Sequence, residues 1–331
     1  MLIKKIIASV GTALVAAFAV FQLAAAQSQQ ENGGNGLQIS PTRTELSLSP
    51  GEHKEFDVTL KNITSGELTA EVSINDFKSD GVTGNPQIVV DPNERTPTSI
   101  YNFIGNLESV KLKPGQTKQL TLDVDIPADA TPGAYYGIIR YAVIPKGGVL
   151  SDRERQLALN ASVGHLVLIE IAGEINEQIQ IDNLAIGKTN DNGEIKTGSF
   201  FFSSPDKSLL TINNLGNGFS RPFGNITING MFGGEVFNAE VNNAEPKAIV
   251  LPASTRVFTN DIGGIKIPGR YTATAAIAYG NGGEVVTYKA SFWYLPIWFL
   301  LILAAVLTLI SLWLYRRYKK HYVSGPKKKR K

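Results

Sequence analysis

Apolar and polar residues alternate one for one through much of the middle of this chain. Phe56, Val58 and Leu60 alternate with Asp57, Thr59 and Lys61. Leu68, Ala70, Val72 and Ile74 alternate with Thr69, Glu71 and Ser73, and Leu120, Leu122, Val124 and Ile126 with Thr121, Asp123 and Asp125. A period of two predicts strands with one buried and one wet face. Asn62 to Gly66 reads as a turn between the first two strands. Pro127 ends the third, because proline has no N–H for the ladder. Thr131-Pro132-Gly133 turns the chain into a strand at 135–144, Pro145 to Gly148 turns it again, and 157–171 closes the set. Ser99 to Gly105 is expected to form one helical turn in a crossing loop. Short antiparallel strands between Pro/Gly turns predict an immunoglobulin-like β-sandwich over 37–173.

A second set follows. Phe200 to Phe202, Leu210 to Asn213, Ile226 to Asn229, Val236 to Val241 and Ala248 to Leu251 are candidate strands. Tyr271, Ala273, Ala275, Ile277 and Tyr279 alternate strictly, and Gly280 to Gly283 predicts a hairpin into Glu284 to Phe292. A second β-sandwich is expected over 174–292. Turn chemistry recurs along the chain. Leu48-Ser49-Pro50-Gly51-Glu52 is echoed by Leu112-Lys113-Pro114-Gly115-Gln116, and Pro132-Gly133-Ala134-Tyr135 by Pro268-Gly269-Arg270-Tyr271. Common turn geometry explains this, since Pro sets one φ and Gly permits a positive one. The first sandwich is expected to fold by itself, with Leu122 inside and Thr121 outside.

Both ends break the alternation. Leu295 to Leu314 carries no charge and is long enough to cross a hydrocarbon core of about 30 Å as one helix. Trp293, Tyr294 and Trp298 suit one headgroup level, and Trp313, Tyr315 and Tyr318 the other. A transmembrane helix is therefore expected at 293–315, followed by a basic tail at 316–331. A buried core helix is the alternative, but core helices keep a polar face. At the other end, Lys4 and Lys5 precede an apolar run to Leu23, then Ala24, Ala25 and Ala26. That order predicts a signal peptide at 1–26, cleaved after Ala26, with a flexible Gln/Asn/Gly lead-in at 27–36. An uncleaved anchor is the other reading of the same run. In both readings the middle lies outside a plasma membrane that the chain crosses once, and the cationic tail stays in the cytoplasm.

Composition changes meaning once divided this way. The net charge of the whole chain is +3. Of its 32 Lys and Arg, 9 lie from Arg316 onward and 2 in the leading segment, leaving 21 against all 29 Asp and Glu. The outer region is thus mildly acidic, which gives no footprint for nucleic acid. The chain has no cysteine, so the exterior rests on hydrophobic cores and leans towards a bacterial envelope protein.

Catalytic chemistry is sparse. His53 and His165 are the outer histidines, each on a predicted strand, and a zinc site of ordinary type is not expected. No Gly-x-Ser-x-Gly elbow marks a nucleophile, and no phosphate-cradling Gly loop is present. Asn190-Asp191-Asn192-Gly193-Glu194 offers oxygen ligands, but it lacks the full calcium loop and reads as a hairpin turn. Asn75, Asp76, Asp80 and Gly81 are read likewise. No catalytic, cofactor-binding or metal residue is assigned, and no cofactor and no enzymatic activity are expected.

With this layout assembled, the chain resembles the WxL-interacting proteins of Gram-positive cell surfaces. The residues that carry the resemblance are Leu48 to Leu60 with Asn62, Val110 to Ile126, Pro132 to Tyr141, and Asn160 to Ile171. The resemblance implies a peptidoglycan-binding first domain and a second domain that binds a partner. The sorting pattern Leu-Pro-x-Thr-Gly is not matched, because Leu295-Pro296 runs into Ile297-Trp298. The expected function is non-catalytic binding of cell-wall glycan or a surface protein. The alternative is an accessory subunit or sensor of a membrane complex.

Overall fold

A computed structural model of the chain describes residues 36–89, 91, 94–144, 162–280 and 283–319. The expected signal peptide, nearly all of the lead-in, the Pro145 to Gly148 turn, the start of the 157–171 strand, the centre of the Gly280 to Gly283 hairpin and the tail beyond Lys319 lie outside the described residues. The fold is all-β, two tandem immunoglobulin-like sandwiches followed by one C-terminal helix.

The first sandwich places β1 (Leu37–Ser40), β3 (His53–Asn62), β9 (Thr117–Asp125) and β7 (Ile104–Gly105) in one sheet, in the order β1-β3-β9-β7. The facing sheet runs β2-β11-β10-β4-β8, with β2 Arg43–Leu48, β4 Leu68–Asn75, β8 Val110–Leu112, β10 Gly133–Ile144 and β11 Ser162–Ile171. The alternation did what its period demands. Phe56, Val58, Leu60, Leu122, Val124 and Ile126 point into one core with Leu68, Ala70, Ile74 and Ile139. Thr121 points out, and its hydroxyl donates to Asp57 Oδ1 at 2.7 Å. Ser99 to Gly105 forms a turn, with Phe103 N–H donating to Ile100 O, and then β7; it is not helical. A small hairpin, β5 (Phe77–Ser79) and β6 (Pro86–Ile88), stands apart from both sheets.

The second sandwich repeats the plan. One sheet runs β13-β12-β15-β18, from β12 Ile179–Thr189, β13 Ile195–Thr197, β15 Lys207–Asn214 and β18 Ser254–Asp261. The other runs β14-β20-β19-β16-β17, from β14 Phe200–Phe201, β16 Phe223–Gly230, β17 Glu235–Val241, β19 Gly269–Tyr279 and β20 Glu284–Tyr294. In each sandwich a short strand pairs in parallel with the last long one, β2 with β11 and β14 with β20. Equivalent positions carry equivalent bonds. Tyr135 Oη donates to Thr131 O at 3.0 Å and Tyr271 Oη to Ile267 O at 2.6 Å, a tyrosine corner in each. The Pro-Gly-x-Tyr echo is thus the same corner built twice. Ala248 to Leu251 is no strand; its one ladder contact is the bridge Ser220↔Val250.

The sandwiches meet over a third apolar cluster. Phe77, Ala134, Tyr136, Ile138 and Leu168 of the first pack on Phe219, Ile249 and Leu251 of the second. The hairpin turn of β5–β6 caps the edge of β18: Val257 N–H donates to Val82 O at 2.8 Å and Thr255 Oγ1 to Gly81 O at 3.1 Å. Ala134 N–H donates to Asn217 O at 2.8 Å, and Arg221 pairs with Glu45. The first sandwich therefore has its own core, but one flank of it is buried by the second.

The helix, α1, spans Ile297–Tyr318, with Pro296 at its N-cap and none of its residues buried. Trp293 and Tyr294, expected within it, instead end β20, because they still pair with Arg270 and Gly269. Proline cannot extend that ladder, and its fixed φ suits a helix start, so Pro296 is where strand gives way to helix.

Candidate functional site

A surface concavity with mixed chemistry lies on the outer face of β16 and β17. Ile226, Ile228 and Val241 point into the core. By alternation Phe223, Asn225, Asn238 and Glu240 point outward, with Asn225 directly opposite Glu240. Together with Gly224, Val241 and Asn243 they line a groove of about 680 Å³. Asn225 Nδ2 donates to Thr227 Oγ1 at 3.3 Å and to Asn238 Oδ1 at 3.4 Å. Asn243 Nδ2 donates to Glu240 Oε2. The Phe223 ring is exposed, and Lys247 Nζ stands 5.4 Å from its centroid.

The loop beside the groove is held by one side chain. Asn242, at φ 54°, donates from Nδ2 to Pro222 O at 2.7 Å and Ala248 O at 2.9 Å, and accepts from Ala248 N–H at 2.8 Å. Asn is among the few residues that tolerate this left-handed backbone. It keeps Asn243 and Lys247 at the groove's rim. The result is a flat aromatic ring beside amides that both donate and accept, next to a carboxylate. Such a surface can pack an apolar face on the ring while hydrogen-bonding polar groups at its edge.

The two outer histidines lie elsewhere. His53 is exposed on β3, with Nδ1 2.7 Å from Asp125 Oδ1. That bond raises its pKa above the ordinary 6.5, with Asp123 and Glu55 acting in the same direction. His53, Glu55 and Asp123 bring three possible metal-ligand atoms within 4.8 Å of one another. His53 and Glu55 are exposed and Asp123 half-buried on neighbouring strands, so the geometry permits a metal without building a site for one. His165 is fully buried, as a packed residue. Its Nδ1 lies 2.7 Å from Pro41 O, and its ring stacks on Phe56 at 5.5 Å. Burial lowers its pKa below 6.5, opposed by the Pro41 bond.

The acidic loops are structural. Asn190 Oδ1 accepts from the N–H groups of Asn192 and Glu194, closing the turn between β12 and β13. Asp80 Oδ1 accepts from Val82 and Gly84 N–H in the β5–β6 turn. Asp76, buried, accepts from Thr96 N–H at 2.6 Å and Ser99 Oγ at 2.7 Å, which ties the crossing loop down.

No protein-family model and no curated protein matches the chain. Among solved structures it is similar to a chain of one described as "Chaperone-tip adhesin complex is vital for synergistic activation of CFA/I fimbriae biogenesis", at 12% identity and a TM-score of 0.37, over 76% of this chain and 97% of that one. It is also similar to the class 5 fimbriae chaperone CfaA, at 12% identity and a TM-score of 0.34, over 79% and 100%. The E. coli chaperone DraB gives 12% and 0.32, over 77% and 97%. These likenesses are of strand arrangement, at low identity.

Proposed function

We propose that this chain is a non-catalytic, membrane-anchored surface protein that holds a rigid pair of sandwiches outside the cell and binds wall glycan. One observation carries the reading: β20 passes into α1 across only Leu295 and Pro296. Leu295 N–H still donates to Phe201 O at 2.8 Å. A helix of 22 residues, about 33 Å long, with no buried residue, has no partner among the described residues to cover it. A bilayer supplies that cover, and Arg316, Arg317 and Lys319 at its far end favour a cytoplasmic tail. The layout is the one that suggested WxL-interacting proteins, whose wall binding is attributed to the first domain. The groove at Phe223 and Glu240 is in the second, and its chemistry suits a glycan better than the acidic face around His53 does.

The test is co-sedimentation of detergent-solubilised full-length protein with purified peptidoglycan. The wild type is expected to pellet, and the double variant Phe223→Ala, Glu240→Ala to stay in solution. A wild type that stays in solution sinks the glycan reading. A double variant that pellets as well as the wild type moves the contact to the first sandwich.

A further inference from the structure

Exposed apolar side chains collect at one end of the second sandwich, and the register shows which end. Trp293 and Tyr294 close β20 beside the helix. Phe200 and Phe201 lie against them in parallel. Gly269, opposite Tyr294, opens β19, so the preceding Ile267 is at the same level. Gly230, opposite Tyr271, closes β16 at that level too, and Met231 and Phe232 form the turn beyond it. A Cβ on Gly269 would stand 3.4 Å from Met231 Sδ. Phe232 is 94% and Ile267 74% exposed; Phe200, Phe202 and Met231 are all more than half exposed. Isolated exposed apolar residues are ordinary, but a ring of aromatic and large aliphatic side chains around one end is not.

We infer that this rim is a lipid-facing foot: Phe200, Phe202, Met231, Phe232 and Ile267 enter the headgroup region of the bilayer that α1 crosses. The inference rests on the anchored reading above. Its occupant follows from continuity, because the helix leaves from the middle of the same rim with two residues of connection. The start of that connection is pinned, since Trp293 N–H at the end of β20 donates to Ser199 O and Leu295 N–H to Phe201 O. The body therefore cannot lift away on a linker. Aromatic side chains are favoured at this depth, where one face is apolar and the other wet. Charged side chains share this end: Asp191 and Glu194 in the β12–β13 turn of the other sheet, and exposed Glu235, Lys266 and Arg270 beside the foot itself, where polar headgroups and water can meet them.

The chain has no cysteine, so single-cysteine labelling needs no prior substitutions. The full-length variants Phe232→Cys, Ile267→Cys, Val285→Cys and Ile302→Cys are labelled with an environment-sensitive fluorophore and placed in nanodiscs. The lipid carries a quencher near the headgroup end of the acyl chain. Labels at 232, 267 and 302 are expected to lose fluorescence, and the label at 285, at the far end of β20, to keep it. Quenching at 302 without quenching at 232 and 267 overturns the foot and leaves the anchor standing. No quenching at 302 overturns the anchor, and the foot with it. A label at 232 that is shielded only when several copies share a disc, and is untouched by the lipid quencher, makes the rim a protein contact and overturns the inference.

Discussion

Leu122 and Thr121 are neighbours with opposite fates. Leu122 is buried beneath the facing sheet, and Thr121 stands in water directly across from Asp57. Leu122→Asp buries an unpaired charge and is expected to cost more than about 4 kcal/mol, abolishing a cooperative melt. Thr121→Lys should be neutral or slightly stabilising, because opposite charges across a strand pair attract. Thr121→Asp, which alternation alone would make silent, sets two carboxylates face to face and should lower the melting temperature. Thermal melts of the three variants decide the matter. The two histidines give a second residue-scale expectation, with opposite signs. His53 has a raised pKa, so its bond to Asp125 contributes fully below pH 6.5 and is lost as pH rises through its folded pKa. His165 has a lowered pKa, so its contribution is full above pH 6.5 and is lost as pH falls from there towards the folded value. NMR titration of the ring protons should place them on opposite sides of 6.5. Asp125→Asn should bring His53 back towards it and leave His165 where it was.

At the scale of elements, both sandwiches hang an inner strand of one sheet on an asparagine. Asn62 ends β3, fully buried, and Nδ2 donates to Gly66 O at 2.7 Å, Leu112 O at 3.2 Å and Lys113 O at 3.1 Å. Asn214 ends β15, with Nδ2 donating to Gly218 O and Val250 O, both at 2.9 Å. Each Oδ1 accepts from the backbone N–H two residues on. Asn62→Ala and Asn214→Ala should each leave buried groups unpaired, at about 1–3 kcal/mol per group. Melting temperatures should fall comparably in both, and no fall at either would make the peg ornamental. This pair was in plain view, since Asn-x-x-x-Gly closes both strands, yet Asn62 to Gly66 reads simply as a turn. The strictly alternating strands, β3, β4, β9 and β19, were legible because one face is core and the other water. β12 was not, because its register slips between Ile181 and Asn183 and the alternation of Ile179 and Ile181 resumes out of phase at Leu184 and Ile186. β18 was invisible for another reason: only Phe258 is buried along it, and its edge is satisfied by the β5–β6 turn from far away in sequence. The groove likewise depends on strands 223–241 coming edge to edge with a loop that no local pattern places.

On the scale of the molecule, the junction makes one body of two sandwiches. The first was expected to fold alone; it has a core of its own, but separation would strip Phe77, Tyr136, Ile138 and Leu168 of their cover. Calorimetry should show a single unfolding transition for the pair of sandwiches. Phe219→Asp, which places a charge in the shared cluster, should split it in two. A single unshifted transition in that variant would mean that the cluster does not couple the halves. The rigidity has a mechanical side. The second sandwich is entered at the top of β12 and left at the bottom of β20, and both strands run the same way: Glu177 lies by Gly280 at one end, and Leu184 to Ile186 share a concavity with Tyr288 to Phe292 further along. A pull applied between the first sandwich and the helix would draw these two strands lengthwise past their neighbours. β20 is laddered to β19 from Gly269↔Tyr294 to Tyr279↔Glu284 and clamped by β14 at its foot. Ladder bonds lie across the strands, so a lengthwise pull strains them together in shear and does not unzip them one by one. The strand that leads into the helix is also the one best placed to bear a load.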